Sequence, residues 1–68
     1  MINIIIRVNG KYVNDLYVSK VTLNERDDEK GEIKKYYAAS VNDITICTFD
    51  FNELTKNSEH QYLCNITF

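Results

Sequence analysis

The chain has 68 residues. It is expected to form a single small β domain over residues 1–68, because a chain of this size buries only about 60% of the surface its unfolded form exposes. Apolar residues are 44% and charged residues 26%, which excludes disorder by composition, and no run approaches the roughly 18 to 20 apolar residues of a membrane span. Eight Lys and Arg against ten Asp and Glu leave a net charge of −2, a small acidic chain with no general attraction for nucleic acid or anionic lipid.

Ile2, Ile4, Ile6 and Val8 alternate with Asn3, Arg7 and Asn9, with Ile5 as the exception, which predicts a strand with one apolar face. Asn9-Gly10 follows at once and predicts a hairpin, since both central residues of a type I′ turn need positive φ. From Lys11 to Leu23 the chain is rich in β-branched and aromatic residues and is longer than the usual strand, so a bulge or second turn with a sharp bend is expected at Asn14-Asp15.

Glu25 to Glu32 has no apolar residue and is expected to be an exposed loop with Gly31 near its end. A short helix within 25–40 is the alternative, and it would make the fold α+β. Ile33 to Val41 and Ile44 to Phe51 flank Asn42-Asp43, a plausible hairpin turn. Centring the hairpin there pairs Val41 with Ile44, Ala39 with Ile46, Tyr37 with Thr48 and Lys35 with Asp50, and leaves apolar groups on both faces. Asp50 and Glu53 resemble a capping box, but Leu54 to Glu59 has a single apolar residue, so one helical turn at most is expected there. Tyr62, Cys64, Ile66 and Phe68 share one face of a final strand, with the terminal Phe68 expected to be buried.

The sequence offers no catalytic constellation, and no catalytic residue, cofactor or metal ligand is assigned. His60 and Cys64 are four residues apart on the final strand, about 13 Å at a rise of about 3.3 Å per residue, too far for a base to activate a thiol. Two Cys and one His at these spacings match no compact zinc site, and two glycines so far apart cannot form a phosphate loop. The opening run is too short for a signal peptide, so Cys47 and Cys64 are expected to be free thiols in a cytoplasmic protein.

The run Ile4-Ile5-Ile6-Arg7-Val8-Asn9-Gly10-Lys11-Tyr12-Val13, with Val21-Thr22-Leu23 after it, resembles the opening of small accessory proteins of phages and prophages of Gram-positive bacteria. The resemblance covers about the first third of the chain. It implies an accessory protein of a mobile element, acting in the host cytoplasm, a class that includes inhibitors of host defence such as anti-CRISPR proteins.

The reading is therefore an all-β domain of about five antiparallel strands in meander order, curled into a small barrel or a strongly bent sheet. Its expected function is non-catalytic binding of a host protein, which it blocks, with Glu25, Asp27, Asp28, Glu29, Glu32, Tyr36 and Tyr37 as the partner-binding residues. Tyrosines anchor interfaces, and charges steer encounter. The alternatives are a self-assembling homodimer and a β domain for single-stranded nucleic acid built on Lys and Tyr. The acids interleaved with these bases make nucleic acid the less favoured partner.

Overall fold

The computed structural model describes residues 1–68 and is all-β. Its strands are β1 (Ile2–Val8), β2 (Lys11–Val18), β3 (Lys20–Asp27), β4 (Ile33–Val41), β5 (Ile44–Asp50), β6 (Leu54–Ser58) and β7 (Gln61–Ile66). There is no helix, so the region 25–40 is a pair of strands and a turn, and the α+β alternative falls. No helix exists that could cross a membrane.

The strands form two open sheets, one in the order β2-β1-β7-β6 and the other in the order β3-β4-β5. This corrects both the expected strand number and the expected barrel. It also corrects the meander, because β7 inserts between β1 and β6 and runs parallel to β1, with Ile4 opposite Tyr62 and Ile6 opposite Cys64. A parallel pair needs a long connection, and nearly the whole chain supplies one here.

Asn9 and Gly10 have φ of 50° and 81°, as a type I′ turn requires, and Asn42 and Asp43 repeat this at 50° and 66°. Asn9 has a second role, because its Oδ1 accepts the N–H of Phe68 at 3.0 Å. That bond ties the end of the chain to the first turn but leaves the Phe68 side chain 92% exposed, contrary to the expected burial.

The irregularity foreseen at Asn14-Asp15 is displaced. Val13 is the bulged residue, between the pairs Ile6–Asn14 and Arg7–Tyr12. The change of direction comes at Ser19, the single residue between β2 and β3, whose N–H donates to the Ser40 carbonyl at 2.8 Å. β2 therefore belongs to one sheet and β3 to the other, which is why the run from Lys11 to Leu23 is too long for one strand.

The β4–β5 hairpin starts in the expected register with Val41 opposite Ile44, and a bulge then intervenes. Ile46 is the extra residue, so Ala39 faces Cys47, Tyr37 faces Phe49 and Tyr36 faces Asp50. The slip has a packing reason. A one-residue shift moves side chains to the opposite face, and it collects Ala39, Tyr37, Cys47 and Phe49 on the core side instead of dividing them between faces. The expected Lys35–Asp50 pair is lost with it.

Half of the capping box foreseen at Asp50 and Glu53 forms, with the Glu53 side chain reaching back to Asp50 while its own N–H meets the main chain of Asp50 and not the side chain. The Asp50 N–H donates to Glu53 Oε1 at 2.9 Å, and the Glu53 N–H donates to the Asp50 carbonyl at 3.0 Å. No helix follows. The turn feeds β6, a strand the sequence reading missed because four of its five residues are exposed and only Leu54 is buried.

The core lies between the sheets: Ile4, Val18, Ala39 and Cys64 are fully enclosed, with Phe49, Leu54 and Tyr62 around them. Burying a large apolar side chain contributes about 1.5–3 kcal/mol, so each is a large share of a domain's net stability of about 5–15 kcal/mol.

Candidate functional site

The proposed partner-binding residues lie on the β3–β4 hairpin. Its strands pair from Lys20–Ser40 out to Asp27–Ile33, and the connecting turn carries the acids. Asp28 organises that turn. Its Oδ1 accepts the N–H groups of Lys30 at 2.8 Å and Glu32 at 2.9 Å, while its own N–H donates to the Glu32 carbonyl at 2.8 Å. Gly31, with φ of 75°, completes the reversal and donates to the Asp28 carbonyl at 3.1 Å. The backbone hydrogen bond from Glu32, with help from that of Lys30 and the Lys34 charge, holds the Asp28 carboxyl below the ordinary carboxylate range despite some desolvation. Asp28 is thus a tie within the turn, whereas Glu25, Asp27, Glu29 and Glu32 are exposed around it.

Tyr36 and Tyr37 do not share a surface. Neighbours on a strand point to opposite faces. Tyr36 lies on the outer face opposite Asn24 and Asp50, with the Arg26 guanidinium 5.4 Å above its ring. Tyr37 points toward the core, stacked on Phe51 at 5.9 Å and tilted against Tyr62 of the other sheet at 6.2 Å. Of the two tyrosines, Tyr36 accompanies the exposed acids, and Tyr37 joins the sheets.

The structure adds a feature the sequence reading missed. β5 ends at Asp50, opposite Tyr36, while β4 continues outward to Ile33 with β3 as its sole neighbour. Along this bare side runs a groove of about 490 Å³ lined by Arg26, Ile33, Lys34, Lys35, Tyr36, Asp50, Phe51 and Asn52. Arg26, Lys34 and Tyr36 belong to the outer face, and Ile33 and Lys35 to the inner one. A groove that touches both faces of one strand must follow its edge.

The groove has three cations and one carboxylate in a chain of net charge −2. Arg26 and Lys34 stand directly opposite each other, a like-charge pairing that costs stability on a sheet. The one salt bridge, Lys34 Nζ to Asp28 Oδ2 at 3.9 Å, is long, and its lysine is exposed. Lys35 lies over the Phe51 ring at 5.7 Å, so neither it nor Arg26 has a carboxylate partner. The like-charge pair was legible in outline, since Arg26 and Lys34 flank the acidic turn. Its opposition depends on the register of that turn.

No protein-family model matches this chain, and the searches of curated proteins and of solved structures likewise found no match.

Elsewhere, the outer face of the larger sheet presents Tyr12 and Tyr17, 64% and 60% exposed, beside Ile5 and Leu63. The neighbouring Asp15 carboxylate is the main cause of the raised pKa of the Tyr12 phenol. Gln61 Nε2 donates to Asn3 Oδ1 at 3.2 Å, and Asn57 donates to Gln61, so polar side chains bridge β6, β7 and β1 on that face. Cys64 is buried, Cys47 half-buried, and both are free thiols. Burial is the first cause of the raised pKa of each. His60 sits exposed in the turn between β6 and β7, away from the enclosed Cys64.

Proposed function

We propose that this chain is a non-catalytic protein-binding module, an accessory protein of a phage or other mobile element that blocks a host defence protein in the manner of anti-CRISPR proteins. The observation that carries the reading is the outer end of the β3–β4 hairpin, where the exposed acids Glu25, Asp27, Glu29 and Glu32 adjoin a groove lined by Tyr36, Phe51, Arg26 and Lys35. Aromatic anchors beside a rim of both charges suit protein recognition, where a few residues supply affinity and charges set the encounter rate. The host setting rests on the resemblance of the first third of the chain.

Affinity capture from a Gram-positive host lysate tests this reading, with the parent chain compared against D27K/E29K and Y36A. The expected result is a host protein retained by the parent and lost from the variants, with all three folded. Identical capture by all three would overturn the assignment of this end.

A homodimer is the second reading, favoured by Ile44 and Ile46, which are 67% and 50% exposed on the edge strand β5. Mass measurement in solution tests it, with twice the chain mass expected for the dimer.

A further inference from the structure

The end of β5 leaves Ile33, Lys34 and Lys35 of β4 with a strand neighbour on one side alone. Such an edge offers backbone N–H and C=O groups to any extended chain laid beside it, and strand addition to a free edge is a recurring mode of peptide recognition. We propose that this edge receives an extended segment of the partner protein as a short strand continuing the line of β5, with an acidic side chain on the outer face beside Arg26 and Lys34 and an apolar side chain on the inner face against Ile33 and Phe51. The proposal rests on the protein-binding reading above and names its docking element.

Charge selects the occupant. A second copy of the same edge would bring Lys34 and Lys35 against lysines, and like charges directly opposite repel. A nucleic acid strand would carry its continuous negative charge past Glu25, Asp27, Glu29 and Glu32, all exposed next to the groove. A protein segment can place one carboxylate among the cations and bases beside the acidic turn. Arg26 is free to receive that carboxylate on the outer face, because the one salt bridge engages Lys34. The apolar part of the groove is also accessible, with Ile33 65% and Phe51 44% exposed.

The test uses the full chain and a random peptide library displayed on phage. Selected peptides are expected to carry an acidic residue next to an aliphatic or aromatic one, and a synthetic copy should perturb the amide resonances of Ile33 and Lys35. R26E should weaken that peptide by about tenfold or more and K35E, on the inner face, by less, with the fold retained in both, as judged by circular dichroism. N-methylation of alternate peptide amides should abolish binding in one register and spare it in the other, a pattern that charge attraction without strand pairing cannot produce. Selected peptides with no acidic preference, or binding indifferent to both R26E and N-methylation, would overturn the proposal, as would oligothymidylate displacing the peptide from the groove. If a host partner is lost with D27K/E29K but kept by R26E and K35E, the strand-addition proposal fails while protein binding stands. A host protein that competes with the peptide supports both.

Discussion

Tyr37 and Phe51 stack with ring centroids 5.9 Å apart and planes 8° from parallel. One residue belongs to β4 and the other lies just past the end of β5, so the stack fixes the turn that leaves the smaller sheet. Tyr62 of the larger sheet meets the Tyr37 ring at 6.2 Å, tilted by 60°. Tyr37 is therefore a joint between the sheets, while Tyr36, its neighbour in sequence, faces the candidate binding surface.

This division predicts opposite outcomes for two adjacent substitutions. Tyr37→Ala should destabilise the fold by about 3 kcal/mol, through a lost aromatic stack and the space left between the sheets. Tyr36→Ala should cost about 1 kcal/mol or less, because the ring packs mainly under Arg26 on an open face. Urea denaturation of the two variants checks this, and equal losses would contradict the assignment of faces.

The Asn9-Gly10 turn makes a backbone prediction. Gly10 has φ of 81° and nothing within 4 Å of where a Cβ would sit, so the cost of a substitution there is conformational and not a clash. Gly10→Val should lower stability by about 1 kcal/mol or more, whereas Gly10→Asn should be better tolerated because Asn visits the left-handed region. An unchanged denaturation midpoint for the valine variant would count against the turn.

Asp28 makes a prediction in acid. Its folded pKa lies below the ordinary value of 3.8, so its contribution to stability is present above that value and is lost as the pH falls through the depressed folded pKa. Protection of the Lys30 and Glu32 amides, measured against their intrinsic exchange rates, should fall in that window. Asp28→Ala should show the lower protection already at neutral pH and no further loss of it in acid. A carboxyl titration by NMR with Asp28 at or above its ordinary value would refute the argument.

The thiols give the complementary prediction in base. Burial raises the pKa of Cys64 and Cys47 above the ordinary 9.0, so stability is complete below that value and falls as the pH rises toward the folded pKa values. At neutral pH both thiols should label slowly in the folded protein, Cys64 more slowly than Cys47, and both rapidly in denaturant. Fast labelling of Cys64 in the native state would show that the core is open.

Alternation in Ile2, Ile4, Ile6 and Val8 identified a strand and its buried face, and Asn9-Gly10 and Asn42-Asp43 identified turns by the φ they require. These signals are local, a side-chain period and a backbone preference, and a sequence displays them directly. Tertiary structure decided which strands became neighbours. Backbone hydrogen bonds are nearly alike for every residue, so nothing in β1 or β7 alone announces that Ile4 will lie opposite Tyr62 in a parallel pair. The Ile46 bulge likewise depends on gathering Phe49, Cys47, Tyr37 and Ala39 under the other sheet. The acids at Glu25, Asp27, Asp28, Glu29 and Glu32 were legible as an exposed turn, and the separation of Tyr36 from Tyr37 follows from strand geometry once β4 is placed. The groove was not legible, because it exists only where β5 stops short of β4, a difference in strand ends set by the Asp50–Glu53 turn and the Tyr37–Phe51 stack. Local chemistry selected strands and turns, and the packing of two thin sheets over one small core determined their neighbours and the edge left bare.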